Sequence, residues 1–69
     1  MAESWEMLTA ADVQAGDRVR LASGAEMLVS RIERRFLGRD GLIAFIEDTP
    51  ERWYKQPVSD AAEVEVARG

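Results

Sequence analysis

Short stretches of alternating apolar and polar residues dominate the chain. Val19 and Leu21 share one parity, whereas Arg18 and Arg20 share the other, a pattern typical of a strand with one buried face. Strands are predicted at five places, residues 17–21, 26–36, 42–46, 52–56 and 63–66. The apolar run at residues 42–46 predicts a central strand with both faces covered.

The parity of the apolar residues changes within the second predicted strand. Met27 and Val29 share one parity, whereas Ile32 and Phe36 share the other. A uniform strand cannot send both pairs into one core, because successive side chains point to opposite faces. We therefore expect a bulge or bend near residues 30–31.

Glycine-containing turns at residues 22–25 and 37–41 separate the strands. Pro57 is expected to end the fourth strand, since proline cannot donate a hydrogen bond to a ladder. One helical turn is predicted at residues 58–62, directly before the last strand. This order of elements favours an antiparallel β-barrel, whose closure protects strand edges.

Two regions are distinguished along the chain. Residues 1–12 are predicted to form an N-terminal arm, in which residues 4–9 alternate briefly and fit a short strand or an ordered extension. Residues 13–69 are predicted to form the barrel domain. An arm of this kind can fold back over an open edge, and Trp5 would then cap one end of the barrel.

The segment Gly16-Asp17-Arg18-Val19-Arg20-Leu21-Ala22-Ser23-Gly24 resembles the opening of many SH3-like barrels. It is similar to KOW-type modules and to short uncharacterised bacterial proteins with a Gly-Asp-x-Val-x-Leu-x-Ser-Gly pattern. The predicted helical turn before the last strand also resembles the SH3-like plan. The resemblance implies a five-stranded SH3-like antiparallel barrel, and it supports a fold without specifying a function.

The composition limits the available chemistry. The 69 residues include no cysteine and no histidine, so thiolate metal sites and the commonest general base are absent. No apolar run approaches the ~20 residues of a membrane span, and we expect a cytoplasmic protein without membrane contact. No cofactor, small-molecule substrate or metal is predicted. A filled small barrel also leaves little room for a pocket, so we expect that the protein is not an enzyme.

Charge is unevenly distributed along the acidic chain, whose net charge is −4. Residues 18–39 hold six arginines against two glutamates, whereas the flanking segments are acidic. The arginines are Arg18, Arg20, Arg31, Arg34, Arg35 and Arg39. Either these side chains are paired with acids on a mixed surface, or they form one basic face that meets an acidic partner, a protein or a nucleic acid. In the second case Phe36 could stack on a base.

Large apolar side chains exceed what one small core can enclose. The candidate partner-binding residues are Trp5, Phe36, Leu37, Trp53 and Tyr54. Trp53 and Tyr54 are adjacent on one strand, so one ring is expected in the core and the other at the surface. Exposed aromatic residues are enriched at protein interfaces. The preferred hypothesis is a non-catalytic interaction module that binds a protein partner or forms a homodimer, and nucleic-acid binding is the alternative.

The turn after the third predicted strand gathers Glu47, Asp48 and Glu51. Three carboxylates could hold a hard cation such as calcium, which takes six to eight oxygen ligands. The spacing matches no calcium loop, so we interpret the segment as a solvated turn.

Overall fold

The computed structural model describes residues 4–68, and residues 1–3 and 69 lie outside that description. Its strands are β1 Ser4–Thr9, β2 Arg18–Arg20, β3 Glu26–Leu28, β4 Arg31–Glu33, β5 Leu42–Asp48, β6 Trp53–Ser59 and β7 Glu63–Arg68. Two short 3-10 helices span Ala10–Asp12 and Phe36–Gly38. The prediction of an all-β protein is confirmed.

The strands form two antiparallel sheets. Sheet A has the order β1-β7-β2-β3, and sheet B has the order β4-β5-β6. Strand β5 is the central strand of sheet B, and its residues Ile43, Ala44, Phe45 and Ile46 are all buried. The prediction of a central strand covered on both faces is therefore confirmed.

The hydrophobic core lies between the inward faces of the two sheets. Phe45 is its largest fully buried side chain. The other members of the cluster are Ala10, Val13, Val19, Met27, Val29, Ile43, Val64 and Val66. Full burial of a valine, leucine or phenylalanine side chain contributes about 1.5–3 kcal/mol, so this cluster is the main source of stability.

The chain passes from sheet A to sheet B between two adjacent residues. The Val29 N–H donates to the Asp17 carbonyl at 2.8 Å, next to β2. The Ser30 N–H donates to the carbonyl of Ile46 in β5 at 2.7 Å. This change of partner confirms the bend expected near residues 30–31 and lets Met27 and Ile32 face one core from different sheets.

The predicted five-stranded closed barrel is wrong for the residues that the structure describes. Residues 4–9, placed in the N-terminal arm, form β1, which pairs with β7 from Ser4↔Arg68 to Thr9↔Glu63. The predicted strand at residues 26–36 divides at the bend into β3 and β4. These two changes account for seven strands. Both sheets have open edges, since β1 and β3 end sheet A and β4 and β6 end sheet B.

Two predictions near the end of the chain are also wrong. Strand β6 continues through Pro57 to Ser59, because β6 is an edge strand and tolerates a residue without an N–H. The helical turn predicted at residues 58–62 is instead a tight turn, closed by the Ala62 N–H on the Ser59 carbonyl at 3.1 Å. The Asp60 N–H donates to the Gly41 carbonyl, which ties this turn to the loop before β5.

Candidate functional site

The five residues predicted to bind a partner lie in three places. Phe36 and Trp53 lie on the side of sheet B that faces away from the core, Leu37 follows Phe36 in the loop, and Trp5 lies on the outer face of sheet A. Tyr54 packs against the core. The opposite orientation of the Trp53 and Tyr54 side chains is thus confirmed, but the five residues do not form one patch.

The outer face of sheet B has a buried apolar floor. Ala44 and Ile46 alternate along β5 with the core residues, and both are buried. The segment after β4 folds over this face, because the Phe36 ring centroid lies 4.6 Å from Lys55 Nζ. Lys55 also pairs with Glu33 at 2.8 Å. A cation held between a ring and a carboxylate fixes the position of Phe36.

Trp53 lies on the same face of β6 as Lys55, two residues away, and is 59% exposed. Leu37, next to Phe36, is 75% exposed. These two large apolar side chains contribute little to the core, and Trp53 lies on the same face of sheet B as the buried Ala44 and Ile46. Exposed apolar side chains that cluster are candidates for an interaction surface, whereas single ones are ordinary. We call Phe36, Leu37, Trp53 and Lys55 the sheet B patch.

Residues 34–41, the basic loop, connect β4 to β5 and carry a net charge of +2. Its backbone departs from ordinary geometry at Arg35 and Leu37, whose φ angles are 49° and 57°. The left-handed region is unfavourable for a residue with a Cβ, and strain of this kind clusters at functional positions. The Arg35 guanidinium pairs with Asp40 at 3.0 Å, which closes the loop.

The six arginines of the basic segment do not share one face. Arg18 and Arg20 lie on sheet A and pair with Glu26 at 3.8 Å and with Glu65 at 3.1 Å. Arg31 pairs with Asp48 at 2.9 Å on sheet B.

Arg34, Arg35 and Arg39 belong to the basic loop, and Arg35 pairs with Asp40. Within residues 4–68, Arg34 and Arg39 make no ion pair. Four of the six arginines are therefore paired with acids, as the mixed-surface alternative predicts.

Sheet A carries a second exposed surface. The Arg20 guanidinium lies 4.1 Å from the Trp5 ring centroid, with its other side on Glu65. Met7 is 56% exposed and Leu28 is 40% exposed on the same outer face. Because the Trp5 ring is half-buried and already stacked on a cation, this surface offers less free apolar area than the sheet B patch.

Glu47 is the residue that sequence reasoning misjudged most. It is 8% exposed, and the solvated-turn interpretation is wrong for it. Its carboxylate accepts from Arg52 Nε and Nη2, both at 3.0 Å, and from the Leu28 N–H at 2.9 Å. These hydrogen bonds hold the pKa of Glu47 below its usual value, with the Arg52 contact contributing most. Glu47 thereby links β5 of sheet B to β3 of sheet A.

The parity of Glu47 could have revealed this role. It continues the inward-facing series of Ile43 and Phe45 along β5, so its side chain points toward the core side. A carboxylate at such a position needs a charged partner, and Arg52 follows across the short turn. Asp48 faces the other way and binds Arg31, so the acidic residues of this turn do not converge. No group of three potential metal ligands occurs in residues 4–68.

An open cleft of about 270 Å³ lies where β2, β6 and β7 meet. Its apolar lining includes Leu21, Val58 and Val64. Gln56 also lines it, but its side chain already accepts from Tyr54 Oη at 2.8 Å and donates to the Pro57 carbonyl at 2.9 Å. Ser23 and the exposed Glu63 are the other polar side chains in its lining.

Comparisons with family models, curated proteins and solved structures return no match for this chain. Among the described residues, no helix has the length and apolar character needed to cross a membrane.

Proposed function

We propose that the protein is a non-catalytic interaction module that binds a protein partner through the sheet B patch. The observation that carries this proposal is the exposure of Leu37 and Trp53, with Trp53 on the face of sheet B that has the buried apolar floor. Interface cores are enriched in aromatic and large apolar residues, and a few such residues supply most of the binding energy. Self-association through the same patch is the homodimeric form of this proposal.

Lys55 and Phe36 support the proposal because their contacts fix part of the patch. The Lys55 ammonium is held by Glu33 and by the Phe36 ring, so these side chains lose little rotamer freedom when a partner arrives. A preorganised surface binds more tightly because less ordering entropy is lost on association.

Affinity capture from lysate together with sedimentation equilibrium tests the proposal. The variants are Leu37→Asn with Trp53→Thr on the patch, and Met7→Thr on sheet A as the matched control for an exposed apolar residue. We expect the native chain and the control to retain the same partner, or to self-associate, and the patch variant to lose it. The proposal would be contradicted if the native chain were monomeric and if the native chain, the patch variant and the Met7→Thr control all captured the same proteins.

Nucleic-acid binding is the second candidate, because Arg34 and Arg39 flank Phe36 and have no carboxylate partner within residues 4–68. The net charge of −4 and the division of the arginines between two sheets weaken the field that a polyanion would meet. Fluorescence anisotropy with a labelled single-stranded oligonucleotide distinguishes the two. Binding that falls steeply with salt favours this candidate, and absence of binding at low salt removes it.

A further inference from the structure

We propose that the partner presents an acidic peptide segment, whose apolar side chain packs on Leu37 and Trp53 and whose carboxylates bind Arg34 and Arg39. This inference rests on the proposed function and adds the chemistry of the partner. It joins two features of the basic loop: the exposed apolar side chain of Leu37, and the guanidinium groups of Arg34 and Arg39, which make no ion pair within residues 4–68.

The charges of the basic loop favour an acidic ligand. Arg34 and Arg39 lack ion pairs within residues 4–68, whereas Arg20, Arg31 and Arg52 each lie about 3 Å from a carboxylate. Among the residues that the structure describes, two cations of one loop thus remain unpaired although the chain is acidic overall. Arginine binds carboxylates through two parallel hydrogen bonds, so these groups favour an acidic ligand over a neutral one.

The conformation of the basic loop exposes the Leu37 side chain. The Gly38 N–H donates to the Arg35 carbonyl at 2.8 Å, and the Arg39 N–H donates to the Phe36 carbonyl at 3.2 Å. These bonds hold Leu37 in the left-handed region with its side chain in solvent. Glycine and asparagine are the residues that adopt the left-handed region most readily. A leucine at this position therefore exposes an apolar group at a conformational cost.

The charges of the chain favour an acidic peptide over a nucleic acid or a second copy as the bound partner. A nucleic acid would meet two free arginines on a chain of net charge −4, which gives weak attraction at a distance. The acidic turn of a second copy offers only the single carboxylate of Glu51, because its Glu47 and Asp48 are already bound to Arg52 and Arg31. A short acidic segment with an apolar residue needs only the local charge that the loop supplies.

A random dodecapeptide library displayed on phage, selected on the immobilised full chain, tests the inference. We expect enrichment of peptides in which aspartate or glutamate flanks an aliphatic or aromatic residue. The best peptide is then synthesised with a fluorescent label and titrated by anisotropy. The Arg34→Gln/Arg39→Gln variant should bind it at least about tenfold more weakly, which is the loss expected for 1.4 kcal/mol.

The matched control is Arg18→Gln/Arg20→Gln, which changes the net charge equally on sheet A. Unchanged binding by this control supports the inference, whereas equal weakening by both variants overturns it in favour of unspecific attraction. An oligonucleotide that binds more tightly than the peptide also overturns it.

Two further outcomes separate the inference from the proposed function. Selection of apolar peptides without acidic enrichment, with binding lost in Leu37→Asn, overturns the acidic partner and leaves the sheet B patch as the binding surface. Failure to select any peptide, or selection of peptides insensitive to Leu37→Asn, contradicts both.

Discussion

Leu37 provides the sharpest test of the structural reasoning, through the substitution Leu37→Asn. The backbone at this position has φ 57° and ψ 27°, which costs about 1 kcal/mol for a residue with an ordinary Cβ. Asparagine adopts this region far more readily than leucine. Because the leucine is 75% exposed, its removal sacrifices only about a quarter of its burial energy, about 0.5 kcal/mol.

The balance predicts that Leu37→Asn stabilises the fold by about 0.5 kcal/mol, which raises Tm by about 2–4 °C in a domain of this size. Leu28→Asn is the matched control, because Leu28 is 40% exposed on strand β3 without left-handed geometry. Asparagine is unfavourable in strands, and more apolar area is lost. We expect this control to destabilise by about 1–2 kcal/mol.

Urea unfolding, followed by circular dichroism, measures both changes from the shift of the midpoint. A Leu37→Asn variant as unstable as Leu28→Asn would refute the reasoning. It would mean that the Leu37 side chain packs against the protein and is not held in solvent by a strained loop.

Three further predictions concern the core, the link between the sheets and sheet A. Phe45→Ala should cost about 3–5 kcal/mol and leave the chain largely unfolded in a thermal melt, because a core of this size supplies little more. The pKa of Glu47 is lowered from 4.5, so its contribution is present above that pH and is lost as pH falls through the folded-state pKa. Glu47→Gln should flatten this acid dependence in urea titrations and should cost about 1.5–3 kcal/mol at pH 7. Trp5→Leu should cost about 0.5–1 kcal/mol by removing the stacking on Arg20, and a double-mutant cycle with Arg20→Gln isolates that contact.

Each of these predictions has a contrary result. A cooperative Phe45→Ala melt near the native Tm would show that the core lies elsewhere. An acid dependence that Glu47→Gln leaves unchanged would assign the lost stability to other carboxylates. A zero coupling between Trp5 and Arg20 would mean that their contact contributes nothing to the stability of sheet A.

Much of the fold could be predicted from local patterns. The alternation around Val19 and the run ending at Ile46 identify β2 and β5, and the parity change after Val29 locates the bend between the sheets. Residues 4–9 could not be assigned as firmly, because an edge strand with one exposed side has a weak pattern, and its pairing with β7 is long-range. Closure of a barrel depends on which strand edges pair with each other. The alternation of apolar and polar residues along a strand does not specify that pairing. The relationship to SH3-like barrels stays a prediction.

The candidate site was harder to predict because it depends on tertiary neighbours. The sequence indicates that either Trp53 or Tyr54 faces solvent, but only the register with β5 shows which one. In the sequence, Arg34 and Arg39 cannot be distinguished from the other arginines. Only the structure shows that they make no ion pair within residues 4–68, whereas the others are paired. Glu47 resembles the acids beside it, although its parity alone distinguishes it.

The measurement that tests the binding surface most directly is an amide NMR titration of the labelled chain with its captured partner or selected peptide. We expect the signals of residues 34–39 and the Trp53 indole to shift with one common affinity, while those of Trp5 and Met7 stay in place. Shifts confined to Trp5, Met7 and Leu28 would place the interface on sheet A and rule out the sheet B patch.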